Sequence, residues 1–567
     1  MYKKQALSKE LLAAEKGVIR KKWHGKLPVA LIYPNHYHVG MSSLGYQVVY
    51  ALFSRNPYVV CERVFLPEEG DSPISIESGR PLADFKVLAF SLSFENDYLN
   101  VLKILQAAGI PIRTEDRSYN HPLVMAGGVA TFLNPEPLAG YIDCFLLGEG
   151  EETVPPFLDL LIETQFAGRD RREALRKLAS RLDGLYVPQF YHPGYDKRGR
   201  LRSFEPDAGL PRTVKRMSVP TGKAAERHTI ILTPNTEFGD KFLIEIGSGC
   251  SRGCRFCAAG FIYRPPRPWP EEVINSVIAG AGDIEKVGLV GAEIVDAKAI
   301  ERICRHLLAY GKQVSFSSLR ADCLTPELLA TLKTAGLKTV TIAPDAGSER
   351  MRRVINKGLD ERAILEAAER LAQWDILNLK LYFMIGLPTE EREDVEAIVH
   401  LTKKIKHRIL KVCRDKRRMG TITLSVNCFV PKPWTPFQWV AMDELGSLQE
   451  KIKIIGNGLR HEGNVRATFD VPKWAYVQAL LARGDRRVGS FLEAALKTGS
   501  WKKAYKEVDL NPDFFVHRER DRNELFPWDF IDHGIKKEYL WEEYQKALRA
   551  EKTIPCQVGI CKRCGVC

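Results

Sequence analysis

The sequence predicts an α/β protein built from two main domains, and three observations carry that reading. Apolar strand-like runs alternate with helical stretches twice over, from about residue 28 to 165 and again from 241 to 439. Many of these runs end in glycine-rich or polar loops, which line the ligand crevice in parallel-sheet folds. From 440 to about 550 the pattern turns helical and loop-rich. The first half therefore reads as a Rossmann-like doubly wound parallel sheet, and the second as a partial (β/α)6 TIM barrel with a helical C-terminal extension. The expected boundaries are a leading helix at 1–27, the Rossmann-like domain at 28–165 and a helix, hairpin and linker at 166–240. The barrel follows at 241–439, then the helical extension at 440–550 and a cysteine-rich tail at 551–567.

In the first half, strands are expected at 29–33, 59–65, 87–92, 123–125 and 144–147. The fourth closes on Gly127 and Gly128, and the fifth on Gly148, Glu149 and Gly150. A charged helix at 153–180 leads to a hairpin that turns at Asp-Lys-Arg-Gly, 196–199. An extended connector at 205–240 joins the halves. The barrel strands are expected at 242–246, 286–290, 314–318, 339–343, 379–385 and 421–429, with helices between them. The aromatic and proline-rich run NCFVPKPWTPFQW, 427–439, reads as a rigid plug, and the helical extension as a cap over the site or a substrate-docking domain.

Composition narrows the function classes. At 567 residues the chain has room for three or four domains, and 45% hydrophobic with 27% charged residues is ordinary for a globular protein. The polar start MYKKQALSKELLAAEKG is no signal peptide, and no apolar run approaches the ~18 residues of a membrane span. Thirteen cysteines without an export signal argue for a reducing, cytoplasmic setting and metal ligation rather than disulfides. Seven sit in two tight groups; the other six read as small buried hydrophobes. A net charge of +13 is compatible with an RNA or ribonucleoprotein substrate, and no membrane partner is expected. The densest basic run, 403–418, lacks the aromatics that stack on bases and reads first as a solvated helix face.

The sharpest chemistry lies in EIGSGCSRGCRFCAAGFIYRPPRPWP, 245–270, where Cys250, Cys254 and Cys257 form a C-x3-C-x2-C run with Phe256 before the last cysteine. Three close thiolates separated by small residues such as Gly253 can hold an iron–sulfur cube and leave one iron open. An open position separates a catalytic metal site from a structural one. Zinc, the alternative, wants four ligands, usually as two separated pairs, and this run does not offer them.

This spacing, with its aromatic before the third cysteine, resembles the radical S-adenosylmethionine (radical SAM) superfamily. The resemblance implies a [4Fe–4S] cluster whose open iron is chelated by the amino and carboxylate groups of S-adenosylmethionine. One electron, from a donor such as flavodoxin or ferredoxin, then breaks the sulfonium and releases a 5′-deoxyadenosyl radical. It further implies S-adenosylmethionine contacts at successive strand ends. Gly291, Ala292 and Glu293 stand where the superfamily carries a Gly-Gly-Glu turn, with Ala292 a departure. Ser317, Ser318 and Arg320 offer hydroxyls and a guanidinium, Asp345 a carboxylate for a ribose hydroxyl or the methionyl ammonium, and Arg352 a bidentate partner for a carboxylate. Gly386 and Pro388 would border the adenine. Ser248 stands where close relatives usually carry Arg.

The first half resembles the cobalamin-binding domain that precedes many radical SAM cores, through 91–100 and 126–152. That likeness implies contacts from Ser91 and from Gly127, Gly128, Gly148 and Gly150, whose small size would let backbone approach a large flat ligand. Such domains place Asp-x-His-x-x-Gly after the first strand. Aligned on Gly40, this chain has Asn35 and Tyr37 there, with His36 and His38 off the ligand offset, so no histidine is expected below the cobalt. A Rossmann-like domain that binds nothing is the alternative.

Cys556, Cys561, Cys564 and Cys567 close the sequence as C-x4-C-x2-C-x2-C. Four thiolates so close suit a second, ferredoxin-like cluster better than a zinc ribbon, though zinc is the other reading. Full ligation would make an electron conduit or staple; loss of one ligand would make a substrate or sulfur site. The whole layout, CGVC ending included, resembles cobalamin-domain radical SAM proteins. It implies cobalamin-assisted methylation of an unactivated carbon or phosphorus. Two other readings stand beside it: sulfur insertion as in methylthiotransferases, for which the C-terminal residues offer no obvious small RNA-binding barrel, and a non-catalytic redox-sensing protein that binds RNA.

Overall fold

The computed structural model describes residues 2–164, 170–223, 225–292, 297–316, 319–414 and 419–567. They form two compact units. One comprises Met1–Asp240, Leu480–Phe515 and Asn523–His533; the other comprises Lys241–Ala479, Val516–Arg522 and Gly534–Cys567.

The first unit is built on a sheet of β1 (Leu27–Tyr33), β2 (Val59–Phe65), β3 (Val87–Ser91), β4 (Leu123–Gly127), β5 (Cys144–Leu146) and β6 (Leu185–Tyr186). Its order is β2-β1-β3-β4-β5-β6, parallel except for β6. That is a doubly wound order, with its switch point between β1 and β3. The strand runs are almost continuously apolar because helices cover both faces of such a sheet. The exceptions on β2 are matched: Arg63, fully buried, pairs with Glu15 at 2.7 Å and Glu77 at 2.6 Å. Glu62 accepts the Trp23 indole N–H at 2.7 Å. The expected hairpin forms from β7 (Tyr191–Tyr195) and β8 (Leu201–Pro206). In the connector, β9 (Val214–Lys215) pairs in parallel with Ile531–Asp532.

The helical extension is not one cap. Its middle belongs to the first unit: the Tyr141 hydroxyl donates to Gly489 O at 2.7 Å, and Arg486 pairs with the buried Glu136 carboxylate at 2.9 Å. Helical periodicity shows that 489–498 buries a face, but it does not say against which partner.

The second unit carries two parallel sheets. One holds β10 (Phe242–Glu245), β13 (Lys286–Val290) and β14 (Gln313–Phe316); β11 (Gly247–Ser248) and β12 (Arg267–Pro268) form a separate two-residue ladder. The other holds β15 (Thr339–Asp345), β16 (Asn378–Ile385), β17 (Ile422–Cys428) and β18 (Val465–Phe469). The Leu319 N–H donates to Thr341 O at 3.0 Å, which links the two sheets beyond β14. The partial barrel thus has seven parallel strands among the described residues, one more than expected. The seventh, VRATF, alternates apolar and polar residues, but at this edge position none of its side chains is fully buried.

Alternation is clear on the inner strands. Leu379, Leu381, Phe383 and Ile385 are buried, while Lys380, Tyr382 and Met384 are half-buried on the opposite face. Register sets them beside Thr423, Ser425 and Asn427 of β17. Helices cover the outer face of such a barrel, so this polar row is its inner face. The plug segment is core, with Trp439 fully buried against Trp541 at 5.1 Å.

In the basic helix Arg392–Cys413, Lys406 pairs with Glu462 at 2.8 Å, Lys404 with Glu361 at 2.6 Å and Arg408 with Glu369 at 3.1 Å. Residues 415–418 of that run lie outside the described residues. Among the described residues no helix is long and apolar enough to cross a membrane.

Candidate active site

Beyond β10 the chain enters the β11–β12 ladder, which pinches the base of the loop between them. Gly249 opens this loop at φ +80°, and a Cβ there would lie 2.4 Å from Tyr263 O, so only glycine fits. The loop then turns tightly, the Cys257 N–H donating to Cys254 O at 3.0 Å. Cys250, Cys254 and Cys257 all line one cavity of about 130 Å³ at the barrel rim. Strand ends complete the wall: Gly291 and Ala292 follow β13, Arg320 follows β14, and Lys357 follows β15.

Burial pushes the Cys254 thiol up to about 11, with the Lys357 ammonium pulling the other way; burial raises Cys257 as well. These thiols must lose their protons to bind metal, and the cavity wall carries three cations, Arg252, Lys357 and Arg320, the last bound to Asp322 at 2.8 Å. Three thiols and a cationic wall suit an anionic iron–sulfur cluster and a ligand carboxylate. Among the described residues no three His, Cys, Asp or Glu side chains converge as ligands of one metal ion. Cysteines that each hold a separate iron of a cube have no need to.

Asp345, buried at the end of β15 with φ +61°, pairs with Lys357 at 2.5 Å. Burial raises its carboxyl while Lys357 opposes the rise. Asp345 therefore orients Lys357 from behind the cavity wall. The roles given to Arg352, Gly386 and Pro388 need correction. Arg352 is buried and donates to the carbonyls of Leu359 (3.0 Å), Ala346 (3.1 Å) and Gly347 (2.8 Å), so it fixes the loop beyond β15 and does not reach the cavity. Gly386 donates its N–H to the Glu390 carboxylate at 2.6 Å, and Glu390 pairs with Lys451 at 2.8 Å. Gly386 and Pro388 form a braced turn outside the cavity lining. Glu293, Ser317 and Ser318 lie outside the described residues.

Sequence reasoning missed the residues that hold the loop. Arg255, between the second and third cysteines, is fully buried and donates to Glu543 at 3.1 Å, to Arg353 O and Val354 O at 3.0 Å each, and to Glu551 O at 2.9 Å. Asn356 donates to Gly253 O at 3.3 Å and accepts from the Thr553 N–H at 2.9 Å. The only signal was an arginine inside a cysteine motif, and its partners lie up to almost three hundred residues away.

In the first unit the glycine-cradle expectation fails. A Cβ on Gly128 would lie 2.4 Å from Leu92 O, and one on Gly148 2.1 Å from Met217 O. Gly150 faces Leu52 and Val49 of the helix Leu44–Arg55, and Gly127 faces Leu146 O at 3.6 Å. At Gly128, Gly148 and Gly150 the missing side chain makes room for the protein's own backbone and core, while at Gly127 a Cβ would make only ordinary contact. Ser91 ends β3 opposite Gly127. Asn35 donates to Asp97 at 2.8 Å across the β1/β3 switch point, and burial pushes the Asp97 carboxyl up to about 6. The Tyr37 hydroxyl donates to Glu15 at 2.5 Å. Tyr37, His36 and His38 line a cavity of about 770 Å³ beside Phe65 and Leu66, at the end of β2 and away from the glycines.

Residues 45–188 match the family model Radical SAM proteins, N-terminal, and residues 244–402 match Radical SAM superfamily. An uncharacterized protein of Methanocaldococcus jannaschii is 31% identical over 502 residues, which cover 87% of this chain and 97% of that relative. An uncharacterized methyltransferase of Pyrococcus horikoshii is 24% identical over 273 residues, 47% of this chain and 53% of its own length. Among solved structures, the cobalamin-dependent S-adenosylmethionine radical enzyme OxsB with aqua-cobalamin bound aligns at 14% identity and a TM-score of 0.47, over 83% of this chain and 66% of that one. The two matched segments and the full-length relative decide the family, not this distant likeness. The chain belongs to the radical SAM superfamily, and membership implies S-adenosylmethionine and a [4Fe–4S] cluster.

Proposed function

We propose that this radical SAM enzyme cleaves one S-adenosylmethionine at the Cys250, Cys254 and Cys257 loop, so that the 5′-deoxyadenosyl radical takes a hydrogen atom from an unactivated centre, and that the centre then receives the methyl group of a second S-adenosylmethionine, each of the two steps drawing one electron from the donor protein. One observation carries the first step: the three thiols face a single cavity whose wall also holds Gly291, Ala292, Arg320 and Lys357. Cys250, Cys254 and Cys257 would hold a [4Fe–4S] cluster, which would supply the electron for breaking the sulfonium of S-adenosylmethionine. Arg320 and Lys357 offer the ligand carboxylate counter-charges, and Asp345 holds Lys357 in place. Leu319, Ala343 and Leu359 give the cavity apolar walls that exclude water, as a carbon radical requires. Lys380, Tyr382, Ser425 and Asn427 on the barrel's inner face supply the polar surface for a substrate.

Methyl transfer as the outcome draws support from the Pyrococcus relative's description. Assistance by cobalamin rests on the resemblance of the first half alone; its glycines and Asn35 are occupied within the fold, and no step is routed through it. Anaerobically reconstituted protein with dithionite and S-adenosylmethionine should release 5′-deoxyadenosine, and its absence would overturn the cleavage. Purification from cells fed hydroxocobalamin tests the corrinoid by its visible absorption. Product mass separates an added methyl group from added sulfur.

A further inference from the structure

We propose that Cys556, Cys561, Cys564 and Cys567 hold a second, fully thiolate-ligated iron–sulfur cluster that feeds electrons to the loop cluster. This rests on the reading of the loop cysteines as the site of S-adenosylmethionine reduction. The tail lies directly on that loop: the Cys556 N–H donates to Ser251 O at 2.7 Å, and Ser251 follows Cys250 in the chain. Its approach is fastened by groups that hold the loop too. Asn356 bridges Gly253 and Thr553, and Arg255 binds Glu551 O and the Thr553 hydroxyl. The helix Lys537–Leu548 supplies Glu543 to the same set, with the Thr553 hydroxyl donating to it at 2.7 Å.

Around the four thiols the backbone wraps without regular structure, through left-handed turns at Gly559 (φ +82°) and Gly565 (φ +91°). Cys564 is buried, with its carbonyl held by the Lys536 N–H at 2.9 Å, while Cys567 is exposed. The four thiols come from one twelve-residue stretch and, like the loop cysteines, no three of them converge on a single metal ion, which ligands of separate irons in a cube need not do. Cations meet the sulfurs directly: Arg563 Nε donates to Cys561 Sγ at 3.1 Å, and the Arg264 guanidinium hydrogen-bonds Cys564. N–H groups aimed at sulfur stabilise an anionic cluster and tune its potential. Here they come from two arginines, one on each segment.

The electron path balances. A low-potential donor protein of the flavodoxin or ferredoxin class is oxidised by one electron at the exposed Cys567 side. That electron passes from the tail cluster to the loop cluster and on to the sulfonium. The carbon–sulfur bond then breaks to give methionine and the 5′-deoxyadenosyl radical, with no proton gained or lost.

The test uses full-length protein reconstituted anaerobically with iron and sulfide, read by metal analysis, Mössbauer spectroscopy and 5′-deoxyadenosine release. Wild type should hold about eight irons per chain, and a variant with all three loop cysteines changed to Ala about four, at the tail. A Cys561→Ala/Cys564→Ala variant should keep the loop cluster and cleave S-adenosylmethionine with dithionite, yet lose cleavage driven by reduced flavodoxin. About four irons in wild type with none in the loop variant, or one zinc per chain that iron does not replace, would overturn the tail site. Flavodoxin-driven cleavage at the wild-type rate in the tail variant would overturn the electron role. Iron retained by the loop variant, with no cleavage by wild type under dithionite, would strike the loop assignment and leave the tail cluster standing.

Discussion

Arg255→Ala should loosen the second unit far more than an ordinary change in a loop. The guanidinium has no exposed surface and makes six hydrogen bonds: two to Glu543, one each to the carbonyls of Arg353, Val354 and Glu551, and one to the Thr553 hydroxyl. Removing it leaves Glu543 buried, with Lys546 at 2.9 Å and Thr553 as its remaining partners, and takes one donor from each of three carbonyls, of which Arg353 O keeps the Asn356 N–H. Breaking a buried ion pair from one side costs about 3–5 kcal/mol, and that is the loss expected in the unfolding free energy of this unit. Glu543→Gln keeps hydrogen-bonding capacity but removes the charge, and should cost about 1–3 kcal/mol. Anaerobic urea unfolding, followed by the fluorescence of Trp439 and Trp541 beside this network, measures both. If Arg255→Ala unfolds within about 1 kcal/mol of wild type, the claim that this arginine holds the cysteine loop against the C-terminal helix is wrong.

Other changes follow from the same structure. Gly148→Ala forces a Cβ to within 2.1 Å of Met217 O at φ +135°, and should cost about 1–3 kcal/mol from backbone strain alone, read by the denaturant midpoint. Asp97 is raised by burial to about 6, so its proton stabilises the fold fully below the unfolded value of about 3.9, and that stability is lost as pH rises through about 6. Asp97→Asn lacks this titration and should gain about 2–3 kcal/mol relative to wild type between pH 4 and 7.5; a pH-independent difference would refute it. On β16, Leu381→Ala should cost about 2–5 kcal/mol because Leu381 is fully buried, while its neighbour Lys380→Ala on the inner face should change stability by no more than about 0.5 kcal/mol. Lys380→Ala should still leave substrate-free release of 5′-deoxyadenosine intact.

Much of the architecture was legible because period and punctuation are local. Alternation over 378–385 and 422–428 reports a strand with one covered face, and the near-continuous apolar runs of β1 to β4 report a sheet covered on both. Cysteine spacing singled out the loop, since thiolate ligation is chemistry that few other residues perform, and the apolar run before it placed that loop beyond β10. The edge strand β18 was passed over although VRATF alternates, because five residues with no fully buried position are a weak signal inside a stretch read as helical. Glycines were misread for a related reason. Sequence shows that a side chain is missing at Gly128 and Gly148, but the occupant of the space, Leu92 or Met217, is a matter of packing.

By itself the sequence determined the chemistry: three thiols in one short loop, four at the tail, and strands to carry them. Only the tertiary structure decided which distant groups meet. It brought Cys556 against Ser251, set Lys357 on Asp345 at the cavity wall, and turned Arg352 and Gly386 away from it. The reason is physical. A motif fixes which atoms can bind a metal or charge, whereas the neighbours of a buried arginine or an ion pair are chosen by long-range packing, which leaves no periodic mark on the chain.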